Sequence, residues 1–464
     1  MEVPTRGRAF DIAAAIVLCV LVATSRLQTT GDGREYVLMA ERFAHARSPA
    51  VPVAQARAAG VFDRRLINRH GAQEMWHFWF VSLCVAPLMA LTSAVGAPPA
   101  LPFAIFNSVL IWAAFRAVRR RFGVMTAVAL CASPIVWWID KAQVEAFTFA
   151  CLTLGLAALP DLAVAALWFA LAATQNPPIG ALTLGLAVWT WVGPREVRDR
   201  NPRLWLWLIA IALLALHPLY YWVQLGRTTP LVETGDLRIP GLRSLITPIV
   251  DLNVGLLINA PVVAGALLIL FLGAVRRSPR AALATASVWL LFLTAFAQAE
   301  NVNSGGTPGM ARYALWLMPP ALLLLHGRPQ SLAGRSAGAI ATALSVACAL
   351  IWFRPTLPES YLFPTRTALY VWENYPGLEN PLPEIFAERL RHADNVNTLA
   401  STPTCAKALL QSGQWPADCP RVETVEACRA EGALCYANRQ RDGTYVFVKT
   451  SRRGGINVAR LLFD

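Results

Sequence analysis

A group of charged residues follows the first hydrophobic run of the chain. Gly31 to Tyr36 reads GDGREY and brings two carboxylates, Asp32 and Glu35, close to one arginine. A carboxylate in such a position can take the proton of an attacking hydroxyl group, hold that hydroxyl group, or stabilise developing positive charge. Asp32 and Glu35 are therefore the candidate catalytic residues.

The same residues also have a structural interpretation. Asp32 and Glu35 stand three residues apart, as in the capping box that opens a helix. The helix they would open has four apolar residues at helical spacing: Tyr36, Met39, Ala40 and Phe43. This spacing predicts an amphipathic helix in the plane of a membrane interface. In this interpretation Glu35 completes the cap, and Asp32 points outward from a rigid helix end.

The composition places these residues in a membrane protein. The chain has 464 residues, of which 56% are hydrophobic and only 15% are charged, which excludes an ordinary globular enzyme with a polar exterior. About twelve apolar runs of roughly 15 to 20 residues recur, close to the length a helix needs to cross a bilayer. The net charge of +13 is spread over the loops between them, which favours membrane orientation over nucleic-acid binding.

The basic residues also predict the orientation of the chain. Arg6 and Arg8 indicate a cytoplasmic N-terminus, and the loops at about 27–75 and 224–254 and the tail then lie outside. A cytoplasmic N-terminus and a tail outside require an odd number of membrane crossings, and we expect about eleven. One early run is not a full crossing, because two crossings after the first loop would place the arginines at 116–121 outside. The alternative for the first run is a cleavable secretory signal, which leaves GDGREY on the same side.

The tail from 354 to 464 is predicted to be a small exoplasmic α+β domain, separate from the membrane domain at 1–353. It contains four cysteines: Cys405, Cys419, Cys428 and Cys435. They include no C-x-x-C pair, so two disulfides in one of three pairings are favoured over a zinc site. The sequence further predicts an irregular segment at 355–383, a short helix at 383–392 and a strand at 445–449.

Four segments together resemble a known family. They are GDGREYVLMAERF at 31–43, HFWFVSLCVAPLMAL at 77–91, DLNVGLLINAP at 251–261 and GGTPGMARYALWLMPP at 305–320. Their types and order resemble polyprenyl-phosphate-dependent glycosyltransferases of the GT-C type, relatives of aminoarabinose transferases and protein mannosyltransferases. In that family the first exoplasmic loop carries an acidic motif, to which Asp32 corresponds. Gly33 stands where a second acidic residue is frequent, which is a departure from the family pattern.

The resemblance implies an all-α polytopic membrane domain of the GT-C type. It implies transfer of a sugar from a polyprenyl-phosphate donor to a glycan, lipid or protein acceptor on the periplasmic side of a bacterial inner membrane. The planar guanidinium group of an arginine can donate two hydrogen bonds to the departing phosphate. The candidates for the phosphate are Arg312 first, then Arg64, Arg65, Arg69 and His70. The candidate supporting residues are Tyr36, His77, Asp251 and Tyr313. No cofactor is indicated; a divalent metal is left open but not indicated.

Each of these assignments has an alternative. Arg312 could anchor a span end by snorkelling to headgroups, and His70 and His77 could serve as interfacial hydrogen-bonding residues. At the level of the whole chain, a lipid or solute transporter or flippase is the main alternative class, and a receptor or scaffold is a third. Against a transporter, the charged residues concentrate in exoplasmic loops and no inverted halves are visible. The sequence has no P-loop.

Overall fold

The computed structural model describes residues 4–199, 203–230, 238–299, 301–303, 307–325, 332–394, 398–451 and 455–457. Gly305 and Gly306 of the fourth family-like segment, and positions 231–237 of the loop at 224–254, lie outside the described residues. The chain forms two compact units. The first comprises Met1–Glu233, Gly265–Phe292 and Leu315–Leu357, and the second comprises Thr234–Ala264, Leu293–Ala314 and Pro358–Asp464.

The structure is mainly helical. The helices before the second unit begins are α1 (Pro4–Thr24), α2 (Gly33–Ala44), α3 (Val53–Ala58), α4 (Phe80–Ser93), α5 (Leu101–Phe122), α6 (Val124–Cys131), α7 (Glu145–Ala157), α8 (Leu162–Ala173), α9 (Gly180–Val192), α10 (Arg195–Asp199) and α11 (Leu204–Leu225). The later helices are α12 (Leu242–Val250), α13 (Leu256–Asn259), α14 (Pro261–Arg277), α15 (Pro279–Ala297), α16 (Leu332–Trp352), α17 (Arg366–Asn374), α18 (Pro383–Arg391) and α19 (Glu426–Arg429). Short 3₁₀ helices occur at Arg64–Leu66, Pro134–Trp138, Pro177–Ile179, Arg312–Leu317 and Pro319–Leu325.

Four helices in the described part of the chain are long and apolar enough to cross a membrane. They are Gly7–Thr24 within α1, and α5, α11 and α15. Other apolar helices, among them α4, α7 and α8, have 10–17 residues and are shorter than a usual crossing. These helices agree with a helical membrane protein, whereas the count of about eleven crossings stays a prediction.

The pairing of α1 with α5 fixes their relative direction. Arg119, near the end of α5, donates from Nε and Nη2 to the two carboxylate oxygens of Asp11, near the start of α1, at 2.9 and 3.0 Å. The arginine-rich end of α5 therefore lies on the side where α1 begins. If both helices cross the membrane, α1 ends on the side where α5 begins. The chain between them then makes no net crossing. In that case α4, with 14 residues, is the early apolar run that is not a full crossing.

Several segments meet at the opposite end of the first unit, where α1 ends. The side-chain amide of Gln143 donates to the carbonyl oxygen of Thr30 at 3.0 Å, and Lys141 Nζ donates to the carbonyl oxygen of Pro355 at 2.9 Å. The segment after α16 thus starts on the side of the GDGREY loop. A further hydrogen bond, from the backbone N–H of Arg69 to the carbonyl of Gln224 at 3.1 Å, brings the end of α11 to the same loop.

The second unit contains the described strands. They are β1 (Arg238–Pro240), β2 (Ala400–Ser401), β3 (Lys407–Gln411), β4 (Leu434–Arg439), β5 (Tyr445–Thr450) and β6 (Gly455–Asn457). Strands β2-β3-β4-β5 form an antiparallel sheet in that order, and β1 pairs with β6. The two expected disulfides are present and join Cys405 to Cys419 and Cys428 to Cys435. This settles one pairing among the three that the sequence allowed.

The local predictions for the tail differ in their outcome. The short helix and the strand are confirmed as α18 and β5. The segment predicted to be irregular contains α17, because the hydroxyl of Thr365 caps its first turn by accepting from the N–H of Ala368 at 3.1 Å. Its Trp372 is fully buried and packs edge-on against Phe386, with ring centroids 4.8 Å apart. Tertiary burial therefore stabilises a helix in a sequence rich in proline and aromatic residues.

Candidate functional site

Two glycines shape the GDGREY loop. Gly31 adopts a positive φ of 46°, a conformation that costs little without a Cβ atom. Gly33 opens α2 against the segment before α7, and a Cβ atom there would lie 3.1 Å from the carbonyl oxygen of Ala142. The glycines on either side of Asp32 thus allow the chain to turn and then to pack closely. Gly33, which departs from the family pattern, is used here for packing.

The loop and α2 bring Asp32 and Glu35 to one histidine. His77 Nε2 lies 3.1 Å from Asp32 Oδ2, and His77 Nδ1 lies 3.0 Å from Glu35 Oε2. The backbone N–H of His77 also donates to Glu35 Oε2 at 3.3 Å. His77 therefore bridges the two acidic residues of the motif, from a position 42 residues beyond Glu35 in the chain.

The charges of this group favour a protonated histidine. Burial lowers the pKa of His77, but the charges of Asp32 and Glu35 and their hydrogen bonds outweigh burial and hold the pKa well above its usual value. Both ring nitrogens face carboxylate oxygens, and only the imidazolium form can donate from both. The side chains of His77 and Asp32 remain 26% and 25% exposed, so the group is open on one face. The arrangement holds the Asp32 carboxylate in a fixed, partly exposed orientation.

The capping box expected from the sequence does not form through its side chains. Asp32 is the N-cap residue of α2, but its carboxylate accepts no capping hydrogen bond from the helix. Glu35 is directed to His77 instead of back to the cap. A cation between two carboxylates attracts both more strongly than a backbone N–H does, which explains the difference.

Helix α2 is held against α4. Tyr36, Met39 and Ala40 on its apolar face are buried within the protein. The hydroxyl of Ser82 in α4 donates to the carbonyl oxygen of Tyr36 at 2.9 Å, and the Tyr36 ring lies 5.4 Å from the His77 ring. The helix is amphipathic as predicted, but this face packs on protein. Tyr36 therefore supports the site by packing beside the His77 imidazole.

A second buried carboxylate anchors the loop to α11. Glu74 is 1% exposed and accepts hydrogen bonds from Asn68 Nδ2 at 2.8 Å and from the hydroxyl of Tyr220 at 3.1 Å. Burial raises its pKa, and the two hydrogen bonds only partly oppose this. The hydroxyl of the adjacent Tyr221 donates to the carbonyl oxygen of His77 at 3.4 Å. Sequence reasoning missed this network, although two adjacent tyrosines near the end of an apolar run were a visible signal.

The cationic candidates of the first loop lie on its surface. They are Arg64, Arg65, Arg69 and His70, all of which are exposed. Arg65 pairs with Asp63 at 3.0 Å, and its carbonyl oxygen accepts from Arg227 Nη2 at 3.0 Å. Because the backbone of Arg69 is bound to Gln224, two loop arginines and Arg227 belong to one basic region. Arg227 was not among the candidates from the sequence.

The remaining candidates belong to the second unit. The Arg312 guanidinium lies 5.4 Å from the centroid of the Tyr313 ring. The Tyr313 ring packs edge-on against Phe296, with centroids 5.5 Å apart. Asp251 is buried and accepts hydrogen bonds from the N–H groups of Asn253 and Val254, and burial raises its pKa. Its geometry is that of a residue that orders the turn between α12 and α13.

Within the described residues, no group of three or more His, Cys, Asp or Glu side chains is arranged to hold a metal ion. In the Asp32, His77 and Glu35 group, an imidazolium has no lone pair to offer a cation. The fold and these side chains define a helical membrane protein with a carboxylate–histidine–carboxylate group at one end of its apolar helices. Comparison with protein-family models, curated proteins and solved structures gave no match.

Proposed function

We propose that this protein is a membrane glycosyltransferase that moves a sugar from a polyprenyl-phosphate donor to an acceptor on the periplasmic side of a bacterial inner membrane. The observation that carries the proposal is the Asp32 carboxylate, oriented by His77 at the start of α2 and open on one face. The order of the family-like segments supports the same class of reaction. The acceptor is a glycan, a lipid or a protein with a free hydroxyl group.

The reaction needs one bond made and one bond broken. The acceptor oxygen attacks the anomeric carbon, the bond from that carbon to the phosphate oxygen breaks, and its electron pair leaves with the polyprenyl phosphate. Asp32 accepts the hydroxyl proton as the new bond forms. His77 Nε2 orients the Asp32 carboxylate, and Glu35 holds the imidazole at its other ring nitrogen, Nδ1. Glu35 is thus a positioning residue in this scheme.

The leaving phosphate requires positive charge near the membrane surface. The exposed arginines of the first loop, Arg64, Arg65 and Arg69, can supply planar donors to it, with His70 beside them. Arg312 of the second unit remains the other candidate.

The test is the release of polyprenyl phosphate from synthetic short-chain polyprenyl-phosphate pentoses and hexoses, added with a periplasmic membrane extract to the protein in nanodiscs. We expect Asp32→Asn to lower release by about 100-fold or more while the protein stays folded. The Asp32 side chain makes no capping hydrogen bond, and the side-chain oxygen of Asn can still accept from His77 Nε2, so a purely structural role would leave the rate nearly unchanged. Glu41→Gln, on the same helix, is the matched control.

Two outcomes would overturn the proposal. A normal rate for Asp32→Asn would remove Asp32 from the mechanism. Movement of intact donor across the membrane by the wild-type protein, with no cleavage of the sugar–phosphate bond, would instead establish a flippase.

A further inference from the structure

Helix α12 in the second unit has its polar and apolar faces reversed. Leu242, Ile246 and Val250 are 73%, 38% and 44% exposed, whereas Ser244 and Thr247 are only 3% and 4% exposed. The three exposed residues recur every four positions and so form one stripe along the helix. A surface helix of a water-soluble protein buries its apolar stripe, so this stripe faces a medium other than water.

The polar side chains of α12 form hydrogen bonds within the second unit. Arg243 donates to Thr450 Oγ1 at 3.2 Å and to the carbonyl oxygen of Pro381. The hydroxyl of Thr247 donates to the carbonyl oxygen of Arg243 at 2.8 Å. The Thr247 bond lies within the helix, so Arg243 is the residue that anchors α12 to the C-terminal domain and orients its apolar stripe away from that domain.

Helix α12 is followed in the same unit by α13 and the start of α14. Helix α13 leads into α14 through hydrogen bonds from the N–H of Ala260 to Leu256 and from the N–H of Ala264 to Ala260. Leu257 in α13 is 48% exposed, and α14 exposes Leu268 and Ile269 in the same way.

Helix α14 in turn packs against the candidate membrane span α15. Phe271 and Trp289 lie with their ring centroids 5.4 Å apart, and the helices are joined beside Arg276, Arg277 and Arg280. Helix α12 therefore precedes the hairpin at the end opposite to these arginines. That end is where the hairpin meets the outer surface of the membrane if the arginines face the cytoplasm.

We propose that α12 lies in the membrane–water interface and inserts Leu242, Ile246 and Val250 among the lipid acyl chains. Its partner is the bilayer itself, and its role is to hold the C-terminal domain to the membrane surface. Interfacial helices bind through buried apolar area in this way. The proposal is independent of the glycosyl-transfer chemistry.

The test is photo-crosslinking in proteoliposomes of phosphatidylcholine that carries an alkyne-tagged acyl chain. The photoreactive residue p-benzoylphenylalanine replaces Leu242 or Ile246. The control replaces Val446, which lies on β5 in the same unit and is 50% exposed. These positions are exposed, so the larger side chain leaves the core intact, and retention of both disulfides and of the wild-type melting temperature verifies folding.

We expect lipid adducts at positions 242 and 246 that exceed those at 446 by about tenfold. Lipid labelling at 242 and 246 no greater than at 446 would overturn the proposal. Adducts to a second copy of the chain in place of lipid would overturn it as well, and would assign the stripe to a protein interface.

Discussion

At the scale of single residues, the site depends on one histidine between two carboxylates. His77 contacts Asp32 and Glu35 through both ring nitrogens, and this pairing is the reason that its pKa is raised in the folded protein. Lys407 in the C-terminal domain shows the opposite effect. Burial lowers its pKa to about 7, although its ammonium group donates to Pro376, Asn380 and Asn438. Direct contact with two carboxylates outweighs burial at His77, whereas the charge of Glu379 does not outweigh burial at Lys407.

The raised pKa of His77 predicts a pH-dependent stability. The folded protein binds this proton more tightly than the unfolded chain, so the stabilisation is fully present below the unfolded pKa of about 6.5 and is lost as pH rises through the folded pKa. We expect the melting temperature of His77→Gln to lie furthest below that of the wild type at about pH 6, and the difference to shrink at alkaline pH.

The measurement is thermal unfolding in detergent over a pH series, with His70→Gln from the surface of the same loop as the control. A difference between His77→Gln and the wild type that grows as pH rises would contradict the assignment of a charged imidazolium.

At the scale of elements, α1 and α5 are joined by a buried ion pair. Arg119 is 6% exposed and binds both oxygens of Asp11, with Arg116 Nε at 3.5 Å from the same carboxylate. The indole of Trp112 also donates to the carbonyl oxygen of Asp11 at 2.9 Å. Helix α1 is thereby tied to the rest of the first unit through specific polar contacts.

Removal of one partner of the Asp11–Arg119 ion pair should lower the free energy of unfolding far more than removal of both. Asp11→Ala leaves a buried guanidinium without its bidentate partner, so we expect a loss of about 3–5 kcal/mol in the free energy of unfolding. The double variant Asp11→Ala, Arg119→Met should recover most of this loss. Unfolding by SDS titration in mixed micelles gives the values.

The exposed pair of Glu423 with Arg429, at 3.8 Å, supplies the control. Glu423→Ala should change the free energy of unfolding by less than about 0.5 kcal/mol. If Asp11→Ala is as mild as Glu423→Ala, the ion pair does not hold α1 to α5.

At the scale of the whole molecule, the candidate site and several chain segments share one end of the first unit. The GDGREY loop, the end of α11 and the segment at Pro355 meet there, while the arginine-rich end of α5 lies at the start of α1. Two crossings after the first loop would have placed the arginines at 116–121 outside the cytoplasm. In this arrangement α4 does not need to cross the membrane, so these arginines can lie on the cytoplasmic side.

The arrangement predicts a pattern of reporter activity. Alkaline phosphatase, which is active only outside the cytoplasm, should be active when fused after Thr30 or after Gly226 and inactive when fused after Gly123. Green fluorescent protein should give the reverse pattern. The arginines that precede Gly123 should retain that end in the cytoplasm. Equal phosphatase activity for fusions after Gly123 and after Thr30 would refute the placement of the arginine-rich end of α5 on the side where α1 begins.

The sequence by itself determined the properties that depend on neighbouring residues. The apolar runs, the amphipathic face of α2, the presence of two disulfides, the short helix α18 and the strand β5 all follow from composition and spacing. These patterns act within one or two turns of a helix or along one strand, so they can be recognised without knowledge of the fold.

The tertiary structure decided which distant residues meet. It brought His77 to Asp32 and Glu35, Tyr220 to Glu74, and Arg119 to Asp11 across 108 positions. It also turned the apolar stripe of α12 outward by using its polar side for the C-terminal domain. No local pattern encodes these contacts, because they arise from helix packing. In the Asp32, His77 and Glu35 group, the nearby opposite charge overrides the preference of a carboxylate for capping its own helix.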